Sequence, residues 1–458
     1  MKSSSININT DLTHLLRFDA GFHLSEGQSV KHAIGKLPYK SFFIKDVAER
    51  IFYCGRARRV YVSKKEHGIP FLSGSNILQA DLENVKLASK KYTPNLEEMK
   101  LQKGWTLISR SGTIGNCAFA TAKHAQKLGS EDVIRLVPNN VFKGGLVYAY
   151  LASKYGHSLL TQGTFGAVIQ HIEPDFISSL PIPKFPDEFQ NKVDDLIQES
   201  ARLREEAADA LHEAITNLSN FIGASFNKVR FKASSVKSQD ILKSLQQRLD
   251  PPALINDGVI TMNEVKNRLP FKLIGDIDGK VYRPGIFKRI YVEDGIPYIK
   301  GSEIFLTDPF RRCDKLSRTR TPFIDEMAMK EGQILITCAG SVGDIKMITK
   351  EYEDKKSIGS QDIIRLESND PLYTREYMFV YLQLPFVYDY IQSMKYGSVI
   401  ERVEPFHIES IPVVEPTKEI SEEITSIIRN YMDCTYKAFN AEETAISMVE
   451  AEIEKWNQ

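Results

Sequence analysis

The chain has 458 residues, 42% of them hydrophobic and 26% charged, with 59 basic and 59 acidic side chains and so a formal net charge of zero. That length allows two or three domains with proper cores, while no apolar run approaches the roughly 18 residues of a membrane span and Met1-Lys2-Ser3-Ser4-Ser5-Ile6-Asn7 lacks the apolar core of a signal peptide. The five cysteines, Cys54, Cys117, Cys313, Cys338 and Cys434, are scattered and form no Cys-x-x-Cys pair, so neither a disulfide framework nor a zinc site is supported.

In chain order, residues 1–186 read as a mixed α/β module of short strands and turns. Trp105-Thr106-Leu107-Ile108 and Val133-Ile134-Arg135-Leu136 are apolar, β-like runs bounded by glycine, and Val147-Tyr148-Ala149-Tyr150-Leu151 opens a helical segment. The module leaves through Pro181-Ile182-Pro183. Residues 187–230 then give a long helix, free of interior proline and rich in Glu, Ala and Leu, and the start of a linker. The link over 223–244 is polar, basic and serine-bearing, as an exposed connection would be.

Residues 231–414 form a second α/β module, with β-like Ile334-Leu335-Ile336 and Ile363-Ile364-Arg365-Leu366 and a helical segment from Tyr377-Met378-Phe379-Val380-Tyr381-Leu382. After Pro412 and Pro416, residues 415–458 give the second long helix. In it Ile420, Ile424, Ile427, Tyr431, Cys434, Ala438, Ala441, Ala445 and Met448 alternate at spacings of four and three, the seam of a coiled coil. Positions 231 residues earlier, Phe189, Val193, Leu196, Ser200, Leu203, Ala207, Ala210, Ala214 and Asn217, make a seam in the same register. The alanines would let two helices approach closely.

The second half repeats the first. Phe165-Gly166-Ala167-Val168-Ile169, Ile172-Glu173-Pro174 and Leu180-Pro181 return as Tyr396-Gly397-Ser398-Val399-Ile400, Val403-Glu404-Pro405 and Ile411-Pro412. Arg17-Phe18-Asp19-Ala20 returns as Arg248-Leu249-Asp250-Pro251. Gly68-Ile69-Pro70-Phe71 with Gly74-Ser75-Asn76-Ile77 aligns with Gly295-Ile296-Pro297-Tyr298 and Gly301-Ser302-Glu303-Ile304. Leu107-Ile108-Ser109-Arg110-Ser111-Gly112-Thr113-Ile114-Gly115 matches Leu335-Ile336-Thr337-Cys338-Ala339-Gly340-Ser341-Val342-Gly343, and Gly129-Ser130-Glu131-Asp132 matches Gly359-Ser360-Gln361-Asp362. Shared positions are mostly apolar residues and glycines, which set a backbone. The copies are expected to share a fold and to differ in what they touch.

The zero net charge hides a separation. Residues 56–110 hold eleven basic and five acidic side chains, and residues 280–320 hold ten and five. Within the two helical segments, residues 187–222 hold nine acidic and three basic side chains and residues 415–455 hold ten and four, so each is acidic by about six charges. The basic blocks Arg56, Arg58, Arg59, Tyr61, Lys64, Lys65 and Arg283, Lys288, Arg289, Tyr291 combine cations for phosphates with an aromatic residue, as duplex DNA would need. Arg110 and Lys300 extend them. The polar residues beside shared glycines, Asn76 against Glu303 and Thr164 against Lys395, are candidates for discriminating bases; if they are turn formers, replacing them would lower stability and leave sequence preference alone.

The order of module, long helix, module, long helix, with the paired Gly-x-x-Gly turns, the loops ahead of the Ile-Pro exits and the heptad helices, resembles the specificity (S) subunit of type I restriction-modification systems over essentially the whole chain. The resemblance implies two target-recognition domains, each reading one half of a bipartite, asymmetric double-stranded DNA site. It implies an antiparallel pair of helices as spacer and dock for two adenine-N6 methyltransferase subunits, a restriction/translocase subunit as further partner, and a cytoplasmic location. The chain departs in having Ser200 and Asn217 in its first seam and an Arg-x-Asp opening to each module. A methylation-only or type II system would use a similar subunit, and a protein-binding coiled-coil scaffold is the reading from another class.

No catalytic constellation stands out, and no cofactor or metal is expected. Asp250-Pro251-Pro252-Ala253 lacks the aromatic residue that stacks on a flipped adenine. Gly112 to Gly115 and Gly340 to Gly343 do not lead into Gly-Lys-Ser/Thr, as a phosphate loop would. His171 and His407 lie near Glu173 and Glu404 but at different repeat positions.

Overall fold

The computed structural model describes residues 22, 24–56, 58–139, 141–164, 170–223, 238–243 and 247–457. The first copy of the Arg-x-Asp opening, the segment 165–169 and most of the link 223–244 lie outside the described residues; within the link, Ser238–Lys243 is helical. The chain divides into two compact units, residues 1–205 with 437–458 and residues 206–436, and both cuts fall inside the long helices.

The first unit is built on a four-stranded antiparallel sheet in the order Ala48–Phe52, Val133–Pro138, Thr106–Ser109, Cys117–Phe119. Its central strand Thr106–Ser109 and residues 133–136 beside it are buried throughout, which is why they read as unbroken apolar runs rather than alternating ones. A second sheet, Tyr61–Val62, Leu87–Ser89, Gly68–Leu72, Leu128–Gly129, closes with a parallel pair. The second unit repeats the plan. Gly279–Tyr282, Ile363–Ser368, Ile334–Thr337 and Ile345–Met347 form its four-stranded sheet, while Asp314–Leu316, Tyr291–Ile299 and Ile358–Gly359 form its second, again ending in a parallel pair. The cross-strand register repeats as well, Leu107 facing Arg135 and Leu335 facing Arg365.

Those two arginines are fully buried. Arg135 donates to the carbonyl oxygens of Ser130 (3.1 Å), Val133 (2.6 Å), Gly129 (2.6 Å) and Met99 (3.2 Å), and Arg365 to those of Ile363 (2.9 Å), Gly359 (3.0 Å) and Met327 (3.3 Å). Each guanidinium thus ties the four-stranded sheet to the edge of the second one. Burial pushes Arg365 down to about 10, still protonated at neutral pH. A buried cation is costly unless its donors are satisfied, so the carbonyls are what make the position tenable.

The expected helices are present as Gly144–Ala152 and Arg375–Leu382, each beginning a little ahead of Val147 and Tyr377, where the sequence reading opens them. Tyr150 and Tyr381, one in each, donate to the carbonyl oxygens of Pro181 and Pro412 at 2.6 and 2.8 Å. Both prolines stand in two-stranded ribbons, Ser41–Phe43 with Pro181–Pro183 and Phe271–Leu273 with Pro412–Val414. The chain therefore leaves each module at a fixed point and enters a long helix, Asp187–Ile222 of 36 residues or Lys418–Lys455 of 38.

In the second unit Cys434 lies on Glu206 and Asn217 on Glu423, so the two helices run antiparallel. In the first unit Ser200 donates across to the carbonyl of Ala438 at 2.8 Å and Arg204 pairs with Glu442 at 2.7 Å. Ala207, Ala210, Ala214, Ala438 and Ala445 are buried, as close helix approach requires. The heptad seam itself is only partly followed. Leu196, Asn217, Ile427 and Met448 are half-buried, and their neighbours Ile197, Leu218, Ile428 and Val449 take the buried places. Each helix has a second duty, since Val193, Ile197, Ala445, Ile446, Val449 and Ile453 join the first module's core. No described helix is long and apolar enough to cross a membrane, and among the described residues no His, Cys, Asp or Glu cluster could hold a metal. All five cysteines are free.

One repeated hydrogen bond changes its donor. Tyr352 donates to the carbonyl of Ile304 at 3.0 Å; at the matching place His124 Nε2 faces the carbonyl of Ile77 at 3.4 Å. A carbonyl only accepts, so Nε2 carries the proton and Nδ1 accepts from the Thr121 amide at 3.2 Å. Burial pushes His124 down to about 4. The folded value lies below the ordinary one near 6.5, so the unfolded chain binds the proton first. The first module should keep this contribution above pH 6.5 and lose it progressively toward pH 4, by about 3 kcal/mol at most. Thermal denaturation between pH 7 and pH 4 should show that His124→Gln flattens this acid loss; an equal decline in both proteins would place the loss elsewhere.

Candidate nucleic-acid interface

Three segments meet at one end of each module. The first is the turn that follows the central strand. Gly112 and Gly115 have φ of +72° and +75°, and Gly340 and Gly343 +79° and +88°, a region that disfavours any side chain. The turn closes by a bond from the Gly115 amide to the Ser109 carbonyl at 3.0 Å, repeated from Gly343 to Thr337 at 2.9 Å.

The second segment is the acid-bearing turn that the buried arginine supports. The amide of Arg110 donates to the Asp132 carbonyl at 2.9 Å, and that of Cys338 to Asp362 at 3.2 Å. The side chains then organise cations. Arg59 pairs with Glu131 at 2.5 Å and with Asp132 at 3.9 Å, and its guanidinium lies over Phe71 at 5.4 Å. In the second module Arg289 pairs with Asp362 at 3.6 Å, lies over Tyr298 at 5.7 Å and donates to its hydroxyl at 2.7 Å. Arg59 and Arg289 are one position of the repeat, each set on an aromatic ring beside an acid.

The third segment is the loop exit before Glu173 and Glu404. The Ile172 amide donates to the Arg110 carbonyl at 3.2 Å, and Val403 to Cys338 at 3.1 Å. In the second module the loop is a small hairpin, closed by reciprocal bonds between Tyr396 and Arg402 at 3.1 and 2.9 Å. Gly397 has φ of +104°, and Val399 at the tip is 93% exposed.

Of the residues that the basic blocks supplied, Arg56 joins Arg59 beside Glu131, at 4.0 Å, while Arg58, Lys65 and Lys288 have no such link to the three segments among the described residues. Arg56, Arg58, Lys65 and Lys288 are exposed, and Tyr61 and Tyr291 are exposed aromatics at one repeat position. Lys64 pairs with Glu66 at 3.2 Å, Lys300 with Asp314 at 2.7 Å and Lys395 with Glu401 at 2.6 Å. The amide of Thr164 donates to the Thr161 carbonyl at 3.2 Å, at the edge of the segment outside the described residues. Arg110 bonds Glu173 and lies over Tyr53 at 4.4 Å, and Arg283 reaches Glu404 at 3.3 Å. The rim differs between modules where the core does not. The repeat position of Arg56 is Ile286, 79% exposed, and that of Glu131 is Gln361.

Asn76 and Glu303 close their own turns. Asn76 Oδ1 accepts from the Ser73 amide at 3.0 Å and from its hydroxyl at 2.6 Å; Glu303 Oε2 accepts from the Lys300 amide at 2.9 Å. Gly74 lets the first of these turns lie against the site, since a Cβ there would stand 2.8 Å from Ser109 Oγ. The acids Glu131, Asp132 and Asp362, together with Glu173, Glu404 and Tyr53, were not singled out by the sequence as site residues. Their signal was present in the repeat, where Asp132 and Asp362 coincide, as do Glu173 and Glu404. By this geometry Asn76→Ala should cost about 1 kcal/mol in chemical denaturation through the lost turn bonds and leave any target preference unchanged. An altered preference with unchanged stability would instead make Asn76 a reader of bases.

Residues 276–446, most of the second module and of the second helix, match the family model of the type I restriction modification DNA specificity domain. A search of the curated proteins finds no match. Among solved structures, the chain is similar to the S subunit of the type I restriction-modification system from M. genitalium, at 12% identity over 92% of this chain and 96% of that one, with a TM-score of 0.32. It is also similar to the HsdS subunit from Thermoanaerobacter tengcongensis, at 13% identity over 92% and 97%, with a TM-score of 0.28. A third match, at the same identity, coverage and score, comes from a structure described as showing complex assembly and conformational transition of the type I R-M system. The resemblance drawn from the sequence holds where it meets the family model: residues 276–446 match the type I restriction modification DNA specificity domain, and the first module repeats the sheets, the buried arginine and the turns found there.

Proposed function

We propose that the chain is the DNA-specificity subunit of a type I restriction-modification complex. Residues 1–186 and 231–414 act as its two target-recognition domains, and the helical segments 187–230 and 415–458 as a spacer that docks two adenine-N6 methyltransferase subunits, with a restriction/translocase subunit joining them. The chain's own part is recognition; methyl transfer belongs to its partners.

The observation that carries this reading is one site built twice with different rims. Both modules present the Gly-x-x-Gly turn, the acid turn and an arginine seated on an aromatic ring, while one repeat position holds exposed Arg56 in the first module and exposed Ile286 in the second. Exposed cations supply contacts to phosphates, which position a protein on DNA; polar groups at the rim supply contacts to bases, which specify sequence. Two frames with unlike rims read two unlike half-sites. The target is therefore split and asymmetric, with a nonspecific gap set by the helices.

Exchanging residues 17–186 for the matching region of a relative of known target should change one half of the methylated motif and leave the other half and the gap intact, as read by mapping methylated adenines. Changes in both halves would contradict modular recognition.

A further inference from the structure

The two modules keep one ion pair by drawing its arginine from different strands. In the first, Arg110 follows the strand Thr106–Ser109, bonds Glu173 and lies over Tyr53. In the second, the place of Arg110 is held by Cys338, and the arginine is Arg283, which follows the strand Gly279–Tyr282. The registers fix the correspondence: Phe52 faces Arg135 as Tyr282 faces Arg365, so Arg283 stands where the first module has Tyr53. Its guanidinium meets Cys338 Sγ at 3.8 Å and Glu404 at 3.3 Å. Aligned residue by residue, the sequence loses an arginine at one position and gains one at another. In space the pair is retained.

The place of the glutamate gives the pair its purpose. Glu173 and Glu404 are the residues at which the loop ends and the short helices Pro174–Ser178 and Pro405–Glu409 begin. Glu404 also accepts from the Tyr396 hydroxyl at 3.0 Å, so the first residue of the hairpin, its exit and the sheet converge on one carboxylate. Both pairs are largely sheltered, with Arg110 16% and Arg283 20% exposed. Removing one partner of a sheltered pair leaves the other charge uncompensated.

We propose that Glu404 is a latch that sets the position of the recognition loop in the second module, and that Arg283 is a positioning residue that holds the latch rather than a contact to DNA; the Arg110–Glu173 pair repeats that arrangement of charges in the first module. This rests on the DNA-specificity reading above.

The test uses the complete complex with its methyltransferase partners, a duplex bearing the full site, and duplexes mismatched in either half. Glu404→Gln and Arg283→Tyr should each weaken binding by roughly tenfold or more, as expected for breaking a sheltered pair. Discrimination in the second half-site should fall and that in the first should be kept. The dependence of affinity on salt should not change. Arg283→Tyr combined with Cys338→Arg rebuilds the first module's arrangement in the second and should restore both affinity and discrimination. A direct phosphate contact by Arg283 predicts otherwise: its removal would lower the salt slope by about 0.9, and Glu404→Gln would free the guanidinium and tighten binding. Either result would overturn the latch, as would a double variant no better than Arg283→Tyr. Failure of the unaltered complex to bind its site in a salt-dependent way is a separate result, and it would remove the specificity reading on which the latch stands.

Discussion

At the centre of each module a guanidinium is buried among backbone carbonyls, and the site is wrapped around it. Arg135 takes the carbonyls of Gly129 and Ser130, so the turn that presents Glu131 and Asp132 is folded on a fixed charge rather than left as a free loop. Arg365 does the same for Gly359 ahead of Asp362. Withdrawing the cation would take a donor from each of these buried carbonyls, at a cost of about 1–3 kcal/mol for any left with no other partner. The outer parts of the site depend on this support: the acids hold Arg59 and Arg289 over their rings, and the amides of Arg110 and Cys338 join the acid turn to the central strand. An arginine inside an apolar strand is thus the support of the interface and no part of its surface.

The repeat preserves contacts more faithfully than residues. The carbonyls of Ile77 and Ile304 each receive a donor, from histidine in one module and tyrosine in the other. Glu173 and Glu404 each receive an arginine, from different strands. Asn76 and Glu303 differ in charge and length yet close the same turn. Diverging copies are constrained at buried donors and acceptors, because an unmatched one is penalised, and are free at exposed positions. Arg56 against Ile286 shows that freedom.

Much of this was legible in the sequence, for identifiable reasons. The two long helices were plain because proline exits, absent interior prolines and Ala-Glu-Leu content leave no competing structure over 36 and 38 residues. The central strands were plain because a strand buried on both faces is a short apolar run between glycines. The seam was less so. Heptad spacing describes a helix with one partner, whereas Ile197 and Val449 also face the first module's core and turn the buried stripe toward it. The ion pairs at Glu173 and Glu404 could not be read at all, since no fixed offset connects Arg110 to Arg283; only the sheet register brings Tyr53 and Arg110 together. Basic residues were visible as blocks, but their division into exposed cations such as Arg58 and engaged ones such as Arg110 depends on acids more than sixty residues away in sequence.

The measurement that bears most directly on the central claim is a single-base map of adenine methylation in host DNA with and without the gene for this chain. The account predicts that deletion abolishes one split motif, two unlike half-sites separated by a fixed gap, and leaves other methylation unchanged. An unchanged map in a host where the methyltransferase partners are present and active would contradict it.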